Sequence, residues 1–251
     1  MKISTKVMDR IVIALVMLFW LTPPTVFAQD GFYVIPVAMN RPLKNVITVA
    51  KGNGKFTDPV AAVNSITDAS ANNPYLVVIA PGVYTITQTL AMKPYVDIAG
   101  SGENVTKITG AISIIVSGAD NCALSSLTVE NTGGGTASIA LSNNNPFPTP
   151  RAYPRITNVT ATASGGTNNY GVFNSTSGPL SFPMTNVTAE ASGYQRSYGV
   201  FNWGASTVMM TNVTATAPGG MTSCPPQGVI PTTSSRLGGR LPFAALVTIS
   251  G

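Results

Sequence analysis

The block ITNVTATA at residues 156–163 returns as MTNVTAEA at 184–191 and as MTNVTATA at 210–217. Its asparagines, Asn158, Asn186 and Asn212, are spaced 28 and then 26 residues apart. Between the copies YGVFN occurs twice, starting at Tyr170 and at Tyr198, again 28 residues apart. Repeats of this length, rich in Thr, Val and Asn and without helical periodicity, predict a solenoid of stacked strands.

Each copy carries a local conflict. In a flat strand inward side chains recur every second residue. Here the apolar pairs Ile156 and Val159, Met184 and Val187, and Met210 and Val213 are three residues apart. Thr-Asn fills each gap, and Asn tolerates the left-handed conformation better than other non-glycine residues. One left-handed asparagine per coil would turn both apolar neighbours inward. Stacked coils would then line up Asn158, Asn186 and Asn212 as an amide ladder and Val159, Val187 and Val213 as an interior stack. The YGVFN block does not reveal which of its residues face inward.

Short β-branched runs bounded by Gly, Asn or Ser precede the repeats: VITVA, YLVVIA, GVYTI, YVDIAG, TKITG, ISIIVSG, SSLTVEN and ASIALSN. Asp58-Pro59 predicts a short helix to about Ile66, with Asp58 as N-cap and an apolar face of Val60, Val63 and Ile66. That helix would cover the open first coil. At about 25 residues per coil, residues 46–217 give roughly seven coils. The expected fold is therefore all-β, a right-handed parallel β-helix with a short N-terminal capping helix.

The ends read differently. Lys2, Lys6 and Arg10 precede an apolar run over residues 11–21, and Val26-Phe27-Ala28 offers a cleavage site. Residues 1–28 are expected to be a secretory signal peptide, because spanning a bilayer takes roughly 20 apolar residues. Residues 29–45 form an N-terminal segment. The mature chain would keep 11 positive and 8 negative side chains, scattered, with no nucleic-acid footprint and no membrane span. Export to the periplasm or beyond the cell permits a disulfide between Cys122 and Cys224, but a small buried thiol at Cys122 is the preferred reading. Residues 218–251 share nothing with the repeats. They are expected to be an irregular tail, truncated or frameshifted near Gly219.

Three stretches, ITVAKGNGKFTDPVAAVNSI, VVIAPGVYTITQTLAM and VDIAGSGENVTKITG, resemble the opening of pectinesterases in the pectin-lyase-like superfamily. SSLTVENTGGGTASIALS is similar to the stretch that follows, so the resemblance covers residues 46–142. The NVT and YGVFN repeats look like those of exported bacterial β-helix proteins. The resemblance implies a right-handed parallel β-helix. It also implies two Asp, an Arg and oxyanion-stabilising Gln residues, and these positions are altered. The glutamate of Gly-x-Tyr-x-Glu is Ile86, and the first glutamine of Gln-Ala-Val-Ala-Leu-Arg is Ala137. From Gly110 onward the carboxylates are Asp120, Glu130 and Glu190 alone.

The chain contains no histidine, which excludes every Ser-His, Cys-His and His-metal arrangement. Arg151, Arg155 and Arg196 could supply a lyase base, but no calcium-type carboxylate cluster accompanies them. GNGKF and the triplet from Gly133 read as turns, not phosphate cradles. The N-glycosylation pattern at Asn104, Asn158, Asn174, Asn186 and Asn212 reads as a by-product of the repeat. No catalytic residue, metal site or cofactor is therefore expected. Tyr194, Arg196 and Trp203 are the candidates for carbohydrate contact, whereas Tyr170 and Tyr198 are expected to stack on each other. These features predict an exported, non-catalytic scaffold, structural or adhesive, with polysaccharide as the possible partner. The alternative is a pectinesterase-like enzyme or polysaccharide lyase acting on pectin-like polymers.

Overall fold

The computed structural model describes residues 45–144, 154–176, 181–193, 195–204 and 207–218. The expected leader and N-terminal segment, the C-terminal tail, Arg151, Tyr194 and Cys224 lie outside the described residues.

Two parallel sheets wind into a β-solenoid. The longer sheet stacks β1 (Asn45–Val49), β2 (Tyr75–Ile79), β5 (Val96–Ala99), β8 (Ala123–Asn131), β10 (Arg155–Ala163), β12 (Ser181–Ala191) and β14 (Thr207–Thr216). β3 (Gly82–Thr85) and β6 (Thr106–Gly110) join its flank, with β6 paired to the second half of β8. The shorter sheet stacks β4 (Leu90–Ala91), β7 (Ile114–Ser117), β9 (Ala137–Asn144), β11 (Asn168–Thr176) and β13 (Arg196–Gly204). Parallel crossovers of this kind are right-handed in nearly all proteins. The count of roughly seven coils needs correction. Seven strands stack in the longer sheet but five in the shorter one, so complete coils number about five. In the first coil the helix α1 (Pro59–Asn64) stands where later coils place a strand of the shorter sheet.

α1 is shorter than the expected run to Ile66, but its cap is as the residue types dictate. Asp58 accepts hydrogen bonds from the Val60 and Ala61 amides at 2.9 and 3.3 Å. Val60, Val63 and Ile66 are all buried in the core, against the first strands.

The long strands bend at one residue each. Asn158, Asn186 and Asn212 have φ of 53°, 52° and 52°, the left-handed region. Ile156 pairs with Met184 and Val159 with Val187, on either side of the bend, and all four are buried. Burying a side chain of this size stabilises the fold by about 1.5–3 kcal/mol. Asn186 Nδ2 donates to Asn158 Oδ1 at 2.9 Å, and Asn212 Nδ2 donates to Asn186 Oδ1 at 2.8 Å. The bend starts one coil earlier than the repeat. Ser126, aligned with Asn158 through the flanking pairs, has φ 56°. Earlier still, the strand is cut at this line into β5 and β6. The longer sheet thus has two limbs meeting at a corner, with the asparagines along the edge.

The second limb lies close against the shorter sheet. A Cβ added at Gly171 would sit 2.6 Å from the Gly199 carbonyl oxygen, 2.9 Å from the Glu190 nitrogen and 3.0 Å from the Ala161 carbonyl oxygen. At Gly199 it would sit 2.6 Å from both the Ala189 oxygen and the Thr216 nitrogen. Backbone meets backbone there, so the glycine of YGVFN is fixed by space. Its partners across the gap, Ala161 and Ala189, are fully buried. The cross-section is a wedge, wide at Ile156 and Met184 and narrow at the glycines.

Two outcomes follow for urea unfolding. Gly171→Ala or Gly199→Ala should cost about 1–3 kcal/mol, as overpacking does. Gly52→Ala, with nothing within 4 Å of the new Cβ, should change the midpoint little. Asn186→Ala loses two ladder bonds and strains the left-handed backbone, for a loss of about 1–3 kcal/mol. Asn186→Gly keeps the backbone freedom and should lose less.

Candidate functional site

The shorter sheet carries its chemistry on its outer face. Alternation along β11 is broken at Gly171, so Tyr170 and Phe173 both point outward while Asn169, Val172 and Asn174 are fully buried. β13 repeats the arrangement in register, pairing Tyr170 with Tyr198 and Phe173 with Phe201. The Tyr170 and Tyr198 rings stack with centroids 5.5 Å apart and planes 10° apart. Phe173 and Phe201 do the same at 5.4 Å and 16°. Tyr170 meets Phe173 edge-on at 5.2 Å, which joins the two stacks into one patch.

Trp203 continues the patch. Its indole lies 6.1 Å from the Phe201 ring. Its partner on β11 is Ser175, so no ring stacks on it from that strand, and it is 64% exposed. Arg196 opens the same strand and is exposed. Arg196, Tyr198, Phe201 and Trp203 therefore form one outward line along β13. At 3.3 Å per residue, less the irregularity at Gly199, that line is roughly 20 Å long. The structure thus brings Arg196 and Trp203 onto one line, and it adds Phe201, which the sequence reading passed over.

The patch has a distinct electrostatic setting. Burial raises the Tyr170 hydroxyl above its ordinary pKa, and the neighbouring Tyr198 raises it further, while Arg196 pulls it down. No carboxylate occurs on β11 or β13. The face can stack, donate and accept hydrogen bonds, and its ionisable groups are the Tyr170 and Tyr198 phenols and the Arg196 guanidinium.

The inward side holds a second amide ladder that the repeat spacing did not reveal. Asn143 Nδ2 donates to Asn174 Oδ1 and Asn174 Nδ2 donates to Asn202 Oδ1, each at 2.8 Å. Asn143 and Asn174 are fully buried. A polar side chain at the same inward position of adjacent coils is the signal that would have found it.

The positions altered from the pectinesterase pattern have structural surroundings. Ile86 is buried in the core, and Ala137 opens β9 in register with Asn168. Glu130 pairs with Lys107 at 3.2 Å and accepts from the Thr109 hydroxyl at 3.1 Å. Glu103 accepts from Thr160 at 3.0 Å, and Asp120 from its neighbour Asn121. Glu130 and Glu190 both align with Thr162, one coil to either side of it. Among the described residues no group of three or more His, Cys, Asp or Glu could hold a metal ion. The Cys122 thiol is buried and donates to the Ala119 carbonyl oxygen at 3.0 Å. No described helix is long and apolar enough to cross a membrane.

No protein-family model and no curated protein sequence matches the chain. It is similar to solved structures of pectin methylesterases. One is a pectin methylesterase in complex with a hexasaccharide, at 15% identity and a TM-score of 0.43, covering 68% of this chain and 66% of that one. A second is the pectin methylesterase from carrot, at 16% identity and a TM-score of 0.49, covering 72% of this chain and 55% of that one. A third is the Erwinia chrysanthemi enzyme, at 13% identity and a TM-score of 0.38, covering 71% and 67%. The chain therefore spans between about half and two thirds of the length of the first two. The fold assignment itself rests on the parallel strand order and register described above.

The Tyr170 environment gives a titration test. The folded chain holds that phenolic proton more tightly than the unfolded chain does. Its contribution to stability is therefore complete below the ordinary value of 10.0 and is lost as pH rises through the higher folded value. Tyrosinate absorbance should show Tyr170 titrating late, and Arg196→Ala should delay it further.

Proposed function

We propose that this chain is an exported, non-catalytic β-helix scaffold with a structural or adhesive role, which contacts polysaccharide through the outer line of β13. The supporting observation is Trp203. A large indole, exposed and with no ring facing it from β11, at the end of a stacked aromatic patch, is the surface a pyranose ring covers well. Tyr198 and Phe201 extend the apolar strip, and Arg196 supplies hydrogen bonds at the far end. Tyr194, two residues before Arg196, belongs to the same proposal. The stacked tyrosines already occupy each other's faces, so they brace the strip and leave the sugar contact to Trp203. The site needs no metal or cofactor, because binding alone is asked of it.

The alternative reading is a carbohydrate-active enzyme, favoured by the placement of Glu130 and Glu190 on coils either side of Thr162. In its favour, two carboxylates share one row of one face. Against it, Lys107 and Thr109 engage Glu130, and a carboxylate so held is poorly placed for proton transfer.

The test is titration of the purified chain with a panel of soluble plant and microbial polysaccharides, followed by isothermal titration calorimetry. Trp203→Ala should weaken binding about tenfold, equivalent to 1.4 kcal/mol, with an unchanged unfolding midpoint. Binding that survives Trp203→Ala and Arg196→Ala together would sink the β13 site. Release of methanol or unsaturated products, lost in Glu130→Gln, would replace the scaffold reading by the enzymatic one.

A further inference from the structure

The second limb of the longer sheet presents a different surface. Its outward residues fall in two rows. Thr160, Thr188 and Thr214 align coil on coil in one, and Thr162, Glu190 and Thr216 align in the other. Thr188, Glu190 and Thr214 are exposed, while Thr160, Thr162 and Thr216 are half-buried. Beside the rows, at the corner, runs the exposed ladder of Asn158, Asn186 and Asn212.

Three properties of this face bear on what it fits. The hydroxyls of one row repeat at the coil spacing, about 4.7–4.9 Å. Threonine is stiff about its first side-chain torsion, so each hydroxyl and methyl holds its place. The Thr162 hydroxyl is buried and has no hydrogen-bond partner among the described residues. Water has a matching repeat. Two waters bound to a common third by O–H···O bonds of about 2.75 Å, at the tetrahedral angle, lie about 4.5 Å apart. That second-neighbour distance recurs along a row of oxygens at an ice surface, and it falls within a few tenths of an ångström of the coil spacing.

We propose that this limb is an ice-binding face, on which ordered waters held by Thr188, Thr214 and Thr216 join the surface lattice of ice. The methyl groups between the hydroxyls gain by leaving liquid water, and the amide ladder fixes the corner against which the rows stand. Glu190 interrupts the second row with a charge that ice does not solvate, so this single residue limits the strength of adsorption. Glu103 accepts from the Thr160 hydroxyl on β10 through its carboxylate and from the Thr128 hydroxyl on β8 through its backbone carbonyl, so the free part of the first row is Thr188 and Thr214. The occupant is ice itself, and this face is separate from the aromatic line of β13.

The experiment is uptake of the fluorescently labelled full chain into a slowly growing ice hemisphere, with inhibition of ice recrystallisation as a second readout. The wild-type chain should enter ice above a serum-albumin control and keep crystals small. Thr188→Tyr and Thr214→Tyr, both at exposed positions, should reduce uptake to the control level while the unfolding midpoint holds. Glu190→Thr should raise uptake, because it completes the second row. Trp203→Ala should leave uptake unchanged. Exclusion of the wild-type chain from ice overturns the proposal, as does uptake indifferent to both tyrosine substitutions. Loss of polysaccharide binding in the tyrosine variants, without a change in ice uptake, would assign the limb to a glycan and overturn it equally.

Discussion

Everything in this solenoid depends on keeping equivalent residues in register from coil to coil, and the left-handed asparagine enforces that register. A strand slipped by one residue would carry its apolar set to the outside. In β10, β12 and β14 such a slip would also put a threonine or valine at positive φ and break the amide ladder. The corner is therefore specified twice, by backbone conformation and by hydrogen bonds. Val159, Val187 and Val213 stay buried as a consequence.

The wedge-shaped cross-section follows from the same economy of side chains. Alanine on one side and glycine on the other let the second limb and the shorter sheet touch through their backbones. Larger residues collect at the wide end. Outward positions are released from the core and free to vary, and each face has acquired its own character. The shorter sheet is aromatic, the second limb is hydroxylic, and the asparagine edge separates the second limb from the first.

Legibility in the sequence tracked how directly the residue type declares its conformation. Asn158, Asn186 and Asn212 announced the corner because asparagine and a broken alternation occur together. Ser126 occupies the same corner, but serine does not signal positive φ, so the earlier coil was hidden. YGVFN kept its facing concealed because apolar residues lie on both of its faces, Val172 inward and Tyr170 and Phe173 outward, so hydrophobicity does not mark the break at Gly171. The coil count was overestimated because α1 takes a strand's place in the first coil, and length alone cannot register that exchange. Of the candidate contact residues, Arg196 and Trp203 were recognisable as exposed types. The inward Asn143–Asn174–Asn202 ladder was not, since buried asparagine contradicts the usual expectation for that side chain.

The parallel register also gives the molecule a mechanical direction. Every ladder bond between coils, backbone or amide, lies along the solenoid axis, while covalent chain runs around it. A pull along the axis concentrates on one interface at a time and peels coils in sequence. A pull along the strands loads all the bonds of an interface together and must shear them at once. A rod built this way resists sideways drag far better than end-to-end tension, so where such a chain is tethered decides how much force it can bear.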